Sequence, residues 1–166
     1  MVDRAETVQI FGWDNARSEE LARAFHAINR EWIEAMFAIE PADLEVLDDP
    51  LGQIIAPGGD ILFAEVAGLG IVGTGALRRG ADGAIELTKM GVFEAARGLK
   101  AGEALLAALI VRGQEMGASP LYLLTNKRCE AAIHLYEKLG FIHDSAIMDR
   151  FGGRYCRCDV AMRVPD

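Results

Sequence analysis

Apolar residues in the first third of the chain are spaced as expected for a strand, a helix and then a loop. A short apolar-rich run over residues 7–13 predicts a first strand. Helical spacing of apolar positions then extends from Leu21 to Ile39, and Ser18, which acidic residues follow, is the expected N-cap. Pro41 is expected to end this helix. Residues 41–60 contain three prolines and many acids, which predicts a loop with at most one short helical turn.

The middle of the chain has the pattern of an antiparallel meander. Strand-like runs at 61–66 and 71–77 are separated by Ala67-Gly68-Leu69-Gly70, a hairpin signal. A second turn at 79–83 leads into a third strand at 84–92. Three consecutive antiparallel strands are therefore expected here.

Helices and strands alternate after residue 92. Apolar spacing predicts a helix over 98–117 and a strand over 121–125, and a second helix that Gly140 ends as its C′ residue. Two further strands are expected near Phe141 and over 155–164.

The strand at 84–92, the following helix and the strand at 121–125 form one strand–helix–strand unit. Such a unit should be a right-handed parallel crossover. The predicted fold class is therefore mixed α/β (α+β), with one mostly antiparallel sheet, a central parallel unit and flanking helices. Ligands of such sheets lie beyond the carboxyl ends of parallel strands, at helix N-termini.

Composition narrows the class of protein. The 166 residues include 17 basic and 25 acidic side chains, a net charge of −8, which argues against nucleic acid as the main partner. No uncharged apolar run approaches the roughly 18 residues of a membrane span, and residues 1–6 lack the apolar core of a signal peptide. Three cysteines, two of them in Cys156-x-Cys158, suit a reduced compartment, so a cytoplasmic protein without membrane association is expected.

The turn that enters the helix at 98–117 reads Arg97-Gly98-Leu99-Lys100-Ala101-Gly102. Its glycines allow close backbone approach, and its two basic residues lie where helix N–H groups are unpaired. These features are typical of a pyrophosphate site. A plain strand-to-helix loop with surface basic residues is the alternative. The turn is neither a dinucleotide fingerprint nor a P-loop.

A downstream motif favours the pyrophosphate site. Ala132-Ile133-His134-Leu135-Tyr136-Glu137-Lys138-Leu139-Gly140-Phe141 closely resembles the A-I-x-L-Y-E-K-L-G-F segment of the GNAT superfamily of acyl-CoA-dependent N-acetyltransferases. Arg97, Lys100 and Gly102 occupy the three marked positions of that family's cofactor loop, Q/R-x-x-G-x-G/A, with lysine in place of the middle glycine. Residues 86–92 are similar to the preceding strand. The resemblance covers about two-thirds of the chain, from Ile61 onward, and implies a single GNAT-type acetyltransferase domain over residues 1–166.

The chain departs from the family pattern at two positions. Lys100 replaces a glycine of the loop, and it is accommodated if its backbone has ordinary helical angles. Cys129 stands where many members carry an asparagine that contacts the cofactor. Asn126, three residues earlier, is the candidate replacement.

The resemblance implies transfer of an acetyl group from acetyl-CoA to an amine by direct attack. Tyr136 matches the family tyrosine beside the sulfur and would protonate the leaving thiolate; from its spacing alone it would be a half-buried helix residue. Glu86 is the candidate base, acting through water, if strict alternation places it with Thr88, Met90 and Val92; a strand bulge would break that register, and a cross-strand charge partner is the alternative. The implied cofactor-binding residues are Met90, Gly91, Val92, Arg97, Gly98, Leu99, Lys100, Ala101, Gly102, Asn126 and Cys129.

The acceptor is expected to be a small cationic or zwitterionic amine. An acidic stretch (Glu40, Asp43, Glu45, Asp48 and Asp49) follows the first helix, where family members often build an acceptor wall. Arg154 or Arg157 would hold a carboxylate. A solvated acidic loop is the alternative.

The remaining candidate site residues also have plain structural explanations. Cys156 and Cys158 alternate with Val160 and Met162, which indicates a core strand face and not metal ligands, so no metal is expected. Tyr155, Arg157 and Asp159 fall on the opposite face, where they line a cleft or are simply exposed. The Trp32/Phe37 stripe is most simply core.

Two other function classes are alternatives to the enzyme. One is a non-catalytic acyl-CoA-binding or regulatory module of the same fold, and the other is a nucleotide-binding α/β protein. An exposed final strand is compatible with a homodimer.

Overall fold

Strands from both halves of the chain form one mixed sheet. The computed structural model describes residues 7–166, so the predicted absence of a signal peptide at 1–6 lies outside it. Within 7–166 the sheet has seven strands in the order β1-β2-β3-β4-β5-β7-β6. Only β4 and β5 of these run parallel. The strands are β1 (Val8–Gly12), β2 (Asp60–Val66), β3 (Gly70–Arg79), β4 (Ile85–Val92), β5 (Leu121–Thr125), β6 (Ile142–His143) and β7 (Val160–Arg163).

Helices cover both faces of this sheet, because its central strands alternate apolar side chains between two cores. Ile61 and Phe63 of β2 pack in one cluster with α1 and α2, whereas Leu62 and Ala64 pack in the other with α3. The helices are α1 (Ser18–Met36), α2 (Pro41–Leu47), α3 (Ala101–Glu115), α4 (Glu130–Lys138) and α5 (Ser145–Phe151). The predicted mixed α/β class, with a mostly antiparallel sheet and one parallel crossover, is confirmed.

The beginning and end of α1 differ from the prediction. Ser18 is already helical, and the preceding turn is capped by Asp14, whose side chain accepts from the Ala16 N–H at 2.9 Å. The helix ends at Met36, because Phe37 is extended. Pro41 opens α2 instead of ending α1, as its missing N–H is harmless in a first helical turn. The segment predicted as a loop therefore contains α2 and a further helical turn at Leu51–Ile55.

The C-terminal region holds more helix and less strand than expected. The helix α5 was not predicted, and the strand expected over 155–164 is limited to Val160–Arg163. Cys156 and Cys158 precede that strand, and Cys156 is exposed, so the expectation that both lie on a core strand face is wrong. The final strand β7 is paired on both sides, by β5 and β6, so it is not the sheet edge that the homodimer expectation required.

Two irregularities of β4 shape the site. Thr74 pairs with Gly91 and Ala76 with Thr88, so Lys89 and Met90 lie opposite the single residue Gly75. Lys89 has a φ of 51°, as expected for a residue in a bulge. On its other edge β4 pairs with β5 only from Ile85 to Leu87, and beyond that point the strands separate.

Candidate active site

A groove of about 570 Å³ occupies the gap where β4 and β5 separate. It extends from the N-terminus of α3 across the free edge of β4 to α4 and α1. Its lining residues are Trp32, Met36, Met90, Gly91, Val92, Arg97, Gly102, Thr125, Arg128, Cys129, Glu130, Ala131, Ala132, Leu135 and Tyr136. The sheet edge and two helix starts therefore share one ligand-sized space.

The α3 end of the groove is suited to an anion. Lys100 is the N-cap of α3, no side chain caps the helix, and its first N–H groups lack intrahelical partners. Gly98, with a φ of 89°, turns the chain into the helix. A Cβ at Gly102 would lie 3.7 Å from Val92, an ordinary van der Waals distance, so the backbone there would accept a side chain. The glycine leaves that space in the groove open.

Lys100 does not have the ordinary helical backbone that would accommodate its side chain without strain. Its φ of 61° and ψ of 17° lie in the left-handed region. A glycine adopts that conformation without steric cost, whereas a lysine pays on the order of 1 kcal/mol. Lys100 is exposed. This loop therefore keeps a glycine-like backbone under a lysine side chain.

The predicted cofactor residues, apart from Asn126, fall into two groups. Met90, Gly91, Val92, Arg97, Gly102 and Cys129 line the groove. Gly98, Leu99 and Lys100 form the loop before α3, and Ala101 is buried beneath it. Asn126 lies outside the groove lining, and its amide donates to the Arg157 carbonyl at 2.6 Å and accepts from the Arg128 N–H at 2.8 Å. These bonds fix the β5–α4 loop and occupy the side chain predicted to contact the cofactor.

Tyr136 lies where the groove meets a second, smaller cavity. The C-terminus of α4 positions it, because the Phe141 N–H donates to the Tyr136 carbonyl and the Gly140 N–H to the Glu137 carbonyl. With Gly140 at a φ of 107°, this is the C′ glycine predicted from the sequence. Burial raises the pKa of Tyr136 above its ordinary value, with a smaller contribution from Cys129. The phenol is therefore protonated at neutral pH and able to donate a proton.

Glu86 is separated from the groove by the bulge. Met90 and Val92 pack in the α3-side core with Leu87, so the predicted common face for Glu86, Met90 and Val92 is wrong. Glu86 is 5% exposed and lines neither cavity. Burial raises the pKa of Glu86 to about 7, and the positive charge of Lys89 opposes part of that rise. This pKa therefore suits a general base. Because Glu86 lines neither cavity, another group would have to carry a proton between it and a ligand in the cavities.

A buried ion network links β4 to α2 and to the loop before β7. The Lys89 ammonium lies 3.0 Å from an Asp43 oxygen and donates to the Tyr155 hydroxyl at 2.9 Å. Arg157 donates to both Asp43 oxygens at 2.6 and 2.7 Å and to Glu40 at 3.1 Å. Burial alone would raise the pKa of Asp43, but these bonds, with one from the Glu40 N–H, lower it to about 2.

The network forms one wall of the small cavity, which holds about 60 Å³. Lys89, Tyr155 and Arg157 line it, together with Trp32 and Phe37. Asp159 lies away from both cavities and accepts from the Lys127 N–H. Of the two outcomes open for these residues, Tyr155 and Arg157 therefore line a cleft. Trp32 packs in the core on the α1 side and also lines the cavity, whereas Phe37 lines the cavity and lies against Arg128 and Arg157.

Comparisons with known proteins agree with this geometry. A family model described as Acetyltransferase (GNAT) family matches residues 18–141. The chain belongs to the GNAT acetyltransferase family. This membership confirms the predicted family and an acyl-CoA-dependent acetyltransferase that uses acetyl-CoA as co-substrate. No curated protein matches the chain.

Solved GNAT structures share the whole fold at low sequence identity. A GNAT acetyltransferase from Staphylococcus aureus Mu50 is 24% identical, with a TM-score of 0.77 over 95% of this chain and 98% of that one. The PaiA N-acetyltransferase from Thermoplasma acidophilum, solved with coenzyme A, is 16% identical, with a TM-score of 0.69 over 96% and 99%. A Bacillus subtilis acetyltransferase, also in complex with CoA, is 16% identical, with a TM-score of 0.66 over 96% and 99%. These likenesses concern the fold.

Some features of this GNAT domain were missed by sequence reasoning. Lys89 gave no local signal except that it is a charged residue beside apolar ones, and Asp43 was predicted only as one of the acidic residues near the acceptor, not as the buried partner of Lys89 and Arg157. Among residues 7–166, no group of three His, Cys, Asp or Glu side chains is arranged to hold a metal ion. The helices of this part of the chain are too short or too polar to cross a membrane.

Proposed function

We propose that this protein is an N-acetyltransferase that moves the acetyl group of acetyl-CoA to the primary amine of a small cationic or zwitterionic acceptor, by direct attack. The observation that carries the proposal is that the two cavities adjoin, since Trp32, Met90, Thr125, Cys129 and Tyr136 line both of them. The groove begins at the uncapped start of α3 and reaches Tyr136, where the small cavity begins. Donor and acceptor would enter from opposite ends and meet beside one phenol.

The start of α3 is the proposed site of the pyrophosphate. Unpaired N–H groups and the helix dipole favour an anion there, and the exposed side chains of Arg97 and Lys100 add positive charge. The pantetheine arm would extend along Met90, Gly91 and Val92, on the β4 edge that β5 leaves unpaired. Backbone N–H groups of that edge would stabilise the oxyanion of the thioester.

Tyr136 is proposed as the general acid. Attack by the amine expels the CoA thiolate, which takes the phenol proton as the carbon–sulfur bond breaks. The raised pKa keeps the Tyr136 phenol protonated at neutral pH, so its proton is in place when the thiolate leaves. The hydroxyl then regains a proton from solvent through the groove.

Glu86 is proposed as the base that receives the amine proton. Since it lines neither cavity, the proton would travel through a water molecule. A pKa of about 7 allows it to accept a proton near neutral pH and release it again.

The test follows free thiol while the protein is incubated with acetyl-CoA and a panel of amines. Thiol release that depends on an amine supports the enzyme. CoA binding with no thiol release from any amine would favour the non-catalytic acyl-CoA-binding module.

A charge reversal tests the cofactor end separately. Arg97→Glu together with Lys100→Glu should weaken CoA binding at least ten-fold, because each charge-assisted phosphate contact contributes about 1.5–3 kcal/mol. Arg23→Glu is the matched control, since Arg23 is an exposed arginine of α1 that lines neither cavity. Unchanged CoA affinity in the double variant would remove the loop from the cofactor site.

A further inference from the structure

The charged side chains that line the small cavity are all basic. They are Lys89 and Arg157, and no acidic residue lines it among residues 7–166. Their carboxylate partners lie behind them, because the Asp43 side chain is fully buried and lines neither cavity. The network is thus arranged with its cations toward the cavity and its anions toward α2.

Both cations keep hydrogen-bond donors that the network does not use. Lys89 has three N–H donors, and the network uses one on Asp43 and one on Tyr155. Arg157 has five, of which three are used, two on Asp43 and one on Glu40. The Nε–H of Arg157, one Nη2 hydrogen and one lysine hydrogen therefore remain for a ligand.

The predicted acidic wall does not reach this cavity. Glu45, Asp48 and Asp49 are exposed and line neither cavity. Glu40 and Asp43 also line neither cavity, and both are bound by the cations in front of them, Asp43 by Lys89 and Arg157 and Glu40 by Arg157. A second positive charge on the acceptor would therefore meet Lys89 and Arg157 before any carboxylate. This is unfavourable in a partly desolvated site.

The size of the cavity suits a small anionic group. Its 60 Å³ is roughly four to six times the space that one water molecule needs. Trp32, Phe37 and Tyr155 supply flat walls around the two cations. A planar carboxylate with one or two adjoining carbons fits this volume and this chemistry.

We propose that the acceptor amine carries a carboxylate, which Lys89 and Arg157 bind in the small cavity. This inference rests on the proposed N-acetyltransferase function and selects the zwitterionic acceptor over the cationic one. Trp32, Met90 and Tyr136 line both cavities, so an amine a few bonds from that carboxylate reaches the junction beside the phenol. Lys89 and Arg157 thereby determine which acceptors are positioned for attack.

The first test uses the unaltered protein. The acceptors are α-, β- and γ-amino acids, each compared with its primary amide and with its decarboxylated amine. The best amino acid should exceed both of its partners at least ten-fold in kcat/KM, as expected for one charge-assisted contact. Equal or faster turnover of the amides or decarboxylated amines would overturn the proposal.

Variants then assign the effect to the two cations. Arg157→Lys keeps the charge beside Asp43 but removes the planar donor pair, and it should raise the KM of the amino acid with little effect on that of its amide. The KM of acetyl-CoA should stay unchanged. Arg150→Lys is the matched control, because Arg150 is an exposed arginine of α5 that lines neither cavity and pairs with Asp82, outside the network. An equal rise in KM for the amino acid and for its amide would mean that Arg157 has only a structural role, and it would contradict the proposal.

A binding measurement separates this inference from the proposed function. Calorimetry in the presence of CoA compares N-acetylated amino acids with their amides and needs no turnover. Preferential binding of the carboxylates without acetylation of any amine would refute the proposed function and support the carboxylate site. Acetylation of amines with no preference for carboxylates in either assay would support the proposed N-acetyltransferase function and refute the carboxylate site.

Discussion

Replacing Glu86 with glutamine should stabilise the protein much more at pH 8 than at pH 5. The carboxyl is 5% exposed, and burial raises its pKa from 4.5 to about 7. Between these values the folded protein binds more protons than the unfolded chain. The free energy of unfolding therefore falls as the pH rises through this window.

The magnitude follows from the two pKa values. One pKa unit corresponds to about 1.4 kcal/mol, so the rise in pH through the full window lowers the free energy of unfolding by on the order of 3 kcal/mol. Roughly 2 kcal/mol of this falls between pH 5 and pH 8, since the unfolded glutamate is already largely ionised at pH 5. Asp43, with a pKa of about 2, changes stability only below pH 4 and does not overlap this range.

Urea unfolding at several pH values measures the effect. The stability difference between Glu86→Gln and the parent should grow with pH, whereas Glu45→Gln, at an exposed glutamate of α2, should show no such trend. A variant that is less stable than the parent at pH 8 would refute the reasoning, because attraction to Lys89 would then outweigh burial. Acetylation by the same variant tests the proposed base, and undiminished kcat would exclude Glu86 from that role.

Three further substitutions test the groove. Tyr136→Phe should lower kcat about 10²–10⁴-fold with nearly unchanged acetyl-CoA binding, and full turnover with chemistry rate-limiting would make Tyr136 merely structural. Lys100→Gly should raise the free energy of unfolding by roughly 0.5–1 kcal/mol by removing the left-handed lysine, while Lys100→Ala keeps that backbone cost and should give no gain. Gly91→Ala would place a Cβ in steric conflict with the Trp32 ring and should lower the free energy of unfolding by about 1–3 kcal/mol, measured by thermal unfolding; Gly153→Ala, with open space around it, is the control.

Local sequence patterns predicted the elements that depend on neighbouring residues. The helix α4 and its glycine end follow from the spacing of apolar residues and from Gly140, whose positive φ is needed within a few residues of the helix. The meander and the crossover follow from alternation and turn residues in the same way. The A-I-x-L-Y-E-K-L-G-F motif then indicated the family, since it combines this local helix with the tyrosine that lines the groove.

Only the tertiary structure decided the features that depend on distant contacts. Lys89 meets a tyrosine 66 residues away, and Asp43 meets an arginine 114 residues away, so no spacing rule brings this network together. In the bulge of β4, two residues oppose one residue of β3. This single extra residue places Met90 on the same face as Leu87 and not on the face predicted for it together with Glu86. Register and buried charge pairing are decided by the partner strand and the partner side chain, which the local sequence does not contain.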